Sequence, residues 1–284
     1  MFALARRDLD RWRELAARAV EPNLVFEPEY LLPLARALGD EAIVRLLVVR
    51  SGSDWHACLP IHLPPRWHRI PLRSVVTWRG AAYLDTPLLG TPLIASERPA
   101  EHLFMLLDGM RRLDRRVRFA ALELVANDRG FSEPLLTALE SLSPAPVVFS
   151  RSERAAFVCG DGAEPQPPIL SSSTRRKLGR VRRRLSETLD DEVEAADCSG
   201  ELAAIDRFME LESRGWKGRA GTSLLTEGHD EYFVEMCRGF TERGRLRVLE
   251  LRCGGHLIAS AITLVAGDTM FGLREAYDEE FAAY

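Results

Sequence analysis

A stretch rich in glycine and proline, Gly160 to Leu170 (GDGAEPQPPIL), interrupts the apolar periodicity of this chain, and the same order of elements is written on either side of it. Before it the patterning reads strand, helix, helix, three strands, helix, strand, helix, strand. After it comes a basic helix, then strand, helix, helix and three strands. No residue-by-residue identity links the halves, so what repeats is architecture. A length of 284 residues exceeds one ordinary core and suits two domains. The expectation is an α/β protein with mixed sheets: a first domain over 1–159, a linker over 160–170 and a second domain over 171–284.

In the first half, FALAR (2–6) reads as a short strand, and Asp8 caps a helix to Val20 with Leu9, Trp12, Leu15 and Ala16 on one face. A second helix spans 27–39, with Pro28 in its first turn and Gly39 as its stop. Strands follow over 42–50, expected to be buried because it is nearly all apolar, then over 56–63 and 74–84. A helix over 100–113, a buried strand over 119–125, a helix over 132–142 and strands within 146–158 complete this half. In the second half, helices read over 171–189, 201–214 and 229–244, and strands over 192–197, 246–252, 256–266 and 269–278. The phrase CGGH (253–256) makes a hairpin turn between two of those strands.

Composition removes several functions. A net charge of −4 and a pI near 6.0 oppose a general nucleic-acid binder and DNA as a partner. The five cysteines are scattered with no CxxC pair, which fits reduced thiols in the cytoplasm and neither a disulfide framework nor a zinc site. The charged N-terminus has no signal-peptide core, and no apolar run approaches a membrane span. His56, His62, His229 and His256 have no partner at metal-ligand spacing, so no metal is expected. No phosphate-binding glycine loop and no Gly-x-Ser-x-Gly elbow is present.

Three phrases of the second half carry a family resemblance: RGWKGRAGTSL after a helix, RLRVLELRCGGHLIASAITL, and FGLREAYDEEFA. With the element order, they resemble the GNAT acetyltransferase superfamily. The closer likeness is to the CelD-like acetyltransferases associated with cellulose and exopolysaccharide gene clusters, and the doubled order resembles the FemAB-like tandem of two such domains. The resemblance covers roughly 171–284 in phrases and the first half in element order. It implies transfer of an acyl group from acetyl-CoA or another acyl-CoA to an amine or hydroxyl of a small-molecule or glycan acceptor. A Fem-like transferase using aminoacyl-tRNA, or a non-catalytic scaffold of polysaccharide assembly, is the alternative. CelD-like sequences begin a helix with a Ser-Pro-Gly phrase shortly after the AYDE strand, and its amides would receive the pyrophosphate. Here the chain stops at Tyr284 before such a phrase. The cofactor site is therefore expected beyond Tyr284, the second domain to be truncated, and the chain to be a fragment that binds acyl-CoA weakly or not at all.

Candidate residues follow. Trp216, Lys217 and Arg219 stand among Gly215, Gly218 and Gly221 in an expected loop, where positive φ would let the chain wrap a substrate. An indole stacks on a ring or sugar face and the cations pair with phosphate or carboxylate; the same residues also fit a core plug with snorkelling cations. At the end of the last strand, Glu275 and Tyr277 share a face by period-2 alternation. Glu275 fits a general base, Tyr277 a proton donor to the departing thiolate, and Asp278 a third catalytic group or a turn cap. Arg175, Arg176 and Lys177 open the basic helix against its macrodipole, which fits an anion site; a solvated face, neutralised by the acidic stretch that follows, also fits.

Overall fold

The computed structural model describes residues 4–64, 73–80, 84, 89–127, 129–153 and 170–284. Two mixed α/β halves result. In the first, helices α1 (Arg6–Ala17) and α2 (Pro28–Ala37) precede strands β1 (Arg45–Ser51), β2 (Asp54–His62), β3 (Arg73–Thr77) and β4 (Leu93–Ile94), then α3 (Pro99–Arg112), β5 (Val117–Ala121) and α4 (Ser132–Glu140). The sheet runs β1-β2-β3-β5 with β4 also on β2, and only the β3–β5 pairing is parallel among these. The second half holds α5 (Ser172–Leu189), β6 (Glu194–Asp197), α6 (Leu202–Arg214), α7 (Trp216–Ala220), α8 (Leu224–Glu227), α9 (Asp230–Thr241), β7 (Leu246–Cys253), β8 (His256–Ala266) and β9 (Thr269–Tyr277). Its four strands lie side by side in chain order, all antiparallel. Gly254 and Gly255 make the β7–β8 turn with φ of 55° and 75°, the two left-handed residues of a tight hairpin.

One apolar cluster runs through both halves, from Trp12, Phe26, Leu31 and Trp78 to Phe208, Phe233, Phe240 and Leu264. The join is α2 against α9, the second long helix of each repeated order, where Tyr30 meets Tyr232 edge-on at 6.3 Å between ring centres. Buried carboxylates at the start of α2 clasp cations around the start of β7. Glu27 takes Arg245 through two bonds of 2.5 and 2.6 Å, and Glu29 takes Arg243 at 2.8 Å and Arg13 at 2.7 Å. Burial pushes the Glu27 carboxyl above its ordinary range, against the pull of Arg245. Such forked pairs fix geometry at an interface more than they add net stability.

Several expected elements are redrawn. Helix α1 already includes Arg6, so no strand runs through FALAR to that point; Phe2 and Ala3 lie outside the described residues. Asp8 is three residues inside the helix, where its carboxylate accepts from the Ala5 amide at 3.3 Å, the reciprocal half of a cap. Strand β1 is half-exposed because it pairs on one side with β2, and β2, flanked on both sides, is the buried strand. The strand expected over 74–84 ends at Thr77, where Trp78 turns into the core and donates to Asp40 at 2.9 Å, and 81–83 lie outside the described residues. The strand expected over 119–125 forms at 117–121 and is largely exposed, with Phe119 edge-on to Phe149 at 6.0 Å. Residues 146–153 join no ladder, and 154–158, Cys159 and the linker up to 169 lie outside the described residues.

Candidate active site

Helix α6 carries a charge where its periodicity calls for an apolar residue. Ile205, Phe208 and Glu212 fall on one stripe, and Glu212 is 2% exposed. A buried carboxylate needs partners, and this one has three. Its Oε1 accepts from Lys217 Nζ at 3.0 Å and Arg274 Nη1 at 2.6 Å, and its Oε2 accepts from the Leu224 amide at 2.9 Å. Leu224 opens α8 and Arg274 lies on β9, so one carboxylate ties α6, α7, α8 and β9 together.

The segment expected as a glycine loop is the short helix α7. Gly215 has φ of −79° and Gly221 of 75°, so the second alone uses left-handed backbone in the way expected of the three. Gly218 is required for a different reason: a Cβ there would lie 1.7 Å from the main-chain oxygen of Ser213. Close approach, rather than turning, selects glycine and lets α7 fold back on the end of α6.

That fold brings most of the predicted site residues together. Lys217 Nζ also donates to the main-chain oxygen of Glu275 at 3.1 Å and lies 5.9 Å from the Trp216 ring centre. Trp216 is 50% exposed, so it is not a core plug. Arg219 pairs with Glu279, just past the strand. Glu275 and Tyr277 are exposed and share a face, opposite Ala261 and Ala259 of β8. Small cross-strand neighbours leave the acid and the phenol standing above a low floor. The Asp278 carboxylate accepts from the Glu280 amide at 3.0 Å, a turn-capping position. Arg175, Arg176 and Lys177 are not part of this group; they are exposed on α5.

The opposite, buried face of this sheet carries a second ionic knot that the sequence reading missed. Glu250 accepts from Arg207 Nε at 2.9 Å, from Arg252 Nε at 2.8 Å and from the Cys198 thiol at 3.5 Å. Burial pushes its carboxyl up, but the two guanidiniums outweigh burial and hold it below the usual range. Burial pushes the Tyr232 hydroxyl up to about 12 and Tyr30 well above its ordinary value, leaving neither suited to proton transfer near neutral pH. His56 stacks on His102 with ring centres 4.6 Å apart, and among the described residues no group of three or more His, Cys, Asp or Glu is placed to hold a metal.

Two halves of this order, joined through α2 and α9, define a GNAT/FemAB-like fold. The crystal structure of FemX matches over 97% of this chain and 80% of that one, with a TM-score of 0.54 at 12% identity. That of a conserved protein of unknown function from Bacteroides thetaiotaomicron VPI-5482 matches over 96% and 79%, with a TM-score of 0.55 at 13% identity. At such identities the likeness is one of fold. Residues 172–284 match the family described as acetyltransferase (GNAT) domain, which gives the half holding α7 and β9 an acyltransferase character. No curated protein sequence matches the chain at a significant level. Among the described residues no helix is long and apolar enough to cross a membrane.

Proposed function

We propose that this protein transfers an acyl group from an acyl-coenzyme A thioester, with acetyl-CoA as the first donor to test, to an amine or hydroxyl of a small-molecule or glycan acceptor in the cytoplasm, including exopolysaccharide precursors. One observation carries the reading: the segment matching the acetyltransferase domain is the one whose last strand presents Glu275 and Tyr277 side by side in solvent, next to an anchored Lys217. Glu275 takes the proton of the acceptor as its nitrogen or oxygen attacks the thioester carbonyl. Main-chain amides along the strands stabilise the oxyanion, and collapse expels the thiolate, which Tyr277 protonates. Trp216 offers a flat face to the acceptor or donor, and Lys217 and Arg219 offer charge to its anionic groups. Asp278 holds the turn that ends the strand. The first half, over 1–159, shapes the acceptor side, and the second, over 171–284, carries the chemistry.

The test is release of free thiol from a panel of acyl-CoAs with amine and hydroxyl acceptors, using wild type and Glu275→Gln. The substitution keeps shape and removes the base, so kcat falls by about 10²–10⁴-fold with KM for the donor little changed. No thiol release from any acyl-CoA, with transfer from aminoacyl-tRNA in its place, moves the protein to the Fem-like alternative that its whole-length likeness to FemX keeps in view. No transfer with either donor leaves the scaffold reading.

A further inference from the structure

Seven cations and one carboxylate lie between residues 170 and 189 of a chain whose net charge is −4. The expected neutralisation by the acidic stretch after α5 does not take place. Arg175, Arg176, Lys177, Arg180 and Arg183 make no ion pair and no side-chain hydrogen bond with any described residue. Asp191 is turned instead to the amides of Glu192 and Gly254. The C-terminal half of α5 is docked: Leu185 is buried against Val193, Cys253, Ile258 and Phe281, Arg182 donates to the Val193 carbonyl at 3.0 Å, and Arg184 lies over the Tyr284 ring. Among the described residues the N-terminal half has no such cover. There Leu178, on the same stripe as Leu185, is 50% exposed, and Leu170 just before the helix is 42% exposed.

Helical geometry sets what this half offers. At 100° per residue Leu178 and Val181 share one face, about 60° apart, with Arg175 and Arg182 on one flank and Lys177 and Arg184 on the other, and Arg176, Arg180 and Arg183 behind. Free cations on both sides of exposed leucine match an anionic lipid surface, where guanidiniums meet phosphates and the apolar stripe enters the acyl boundary. Single-stranded nucleic acid fits less well, because it is held by aromatic stacking and no aromatic residue lies between 170 and 189.

We propose that the N-terminal half of α5 docks the protein on the surface of a membrane rich in anionic phospholipid. The contact is peripheral and reversible, and it weakens as salt screens it over a Debye length of about 10 Å. It stands apart from the proposed acyl transfer, since none of these residues belongs to that site.

Sedimentation with vesicles tests it, comparing phosphatidylcholine alone with phosphatidylcholine mixed with phosphatidylglycerol. The full chain binds the mixed vesicles and not the neutral ones. Replacing Arg175 and Lys177, the free cations on the two flanks, by glutamine lowers partitioning on the order of thirty-fold. These side chains are exposed and make no hydrogen bond or ion pair with any described residue, so the variant keeps its fold, checked by circular dichroism. Leu178→Ser lowers partitioning several-fold at constant charge, an effect that electrostatics alone would not produce. Equal binding to neutral vesicles, no binding to anionic ones, or partitioning untouched by either substitution overturns the proposal. So does binding to mixed tRNA, lost in the double variant, by a protein that ignores vesicles.

Discussion

Lys217 and Glu275 are 58 positions apart in the chain, and the ammonium of the first donates to the main-chain oxygen of the second at 3.1 Å. The same ammonium is held at 3.0 Å by a carboxylate that is itself buried. Helix α7 and the end of β9 are therefore one unit, and the exposed side chains around them, Trp216, Glu275 and Tyr277, have fixed backbone positions relative to one another.

Glu212 is the centre of that unit. Glu212→Ala leaves the cations of Lys217 and Arg274 and the Leu224 amide without their common acceptor, and removal of one partner from a buried ionic group costs about 3–5 kcal/mol. Glu212→Gln, which keeps an acceptor for the amide, falls between the two. Urea unfolding measures both, and a loss for alanine within about 0.5 kcal/mol of zero would mean that the knot contributes nothing.

Trp216 is half-exposed, so Trp216→Ala leaves the melting temperature nearly unchanged. Stacking on a ligand ring is worth about 1–3 kcal/mol, so turnover falls by about tenfold or more. Full activity in the variant would remove the indole from the site.

Gly218→Ala forces a methyl group against the Ser213 carbonyl and costs about 1–3 kcal/mol as the backbone of α7 shifts. Gly179 on α5 is the control: a Cβ there meets nothing within 4 Å. Gly179→Ala gains about 0.5–1 kcal/mol from helix propensity. Equal effects at the two sites would contradict the close approach described here.

Glu250 has a carboxyl whose folded value lies below its unfolded one. Its contribution to stability is fully present above the unfolded value and disappears as pH falls through the folded one. Urea midpoints for wild type therefore drop more steeply than those of Glu250→Gln as pH falls through and below the ordinary carboxylate range, and the gap between the two proteins narrows as acid is added. Parallel curves would show that Arg207 and Arg252 do not hold the charged form.

Much of the second half was legible in the sequence because its signals are local. The hairpin at Gly254 and Gly255 follows from two residues free to take positive φ, and the shared face of Glu275 and Tyr277 follows from strand period. Strand β5 was misjudged because burial depends on what lies beyond the strand, and among the described residues β3 is its one neighbour. Asp278 carried two readings, and its carboxylate accepts from the Glu280 amide, the bond of a turn cap. Glu212 left a trace, a carboxylate on the apolar stripe of α6, but its partners could not be named from it.

The sequence by itself determined the order of the long helices and strands in the second half, the turn chemistry and the amphipathic faces, since each depends on residues within a few positions of one another. Tertiary structure decided that Trp216–Ala220 is a helix rather than a loop, because a buried carboxylate and a missing side chain at Gly218 make folding back on α6 possible. It also decided that Arg175, Arg176, Lys177, Arg180 and Arg183 of α5 pair with no described residue, while the cations of Arg243 and Arg245 are clasped by Glu29 and Glu27 across more than 200 positions. Charge pairing at that range depends on which surfaces the packed halves bring into contact, and no local pattern in the chain encodes it.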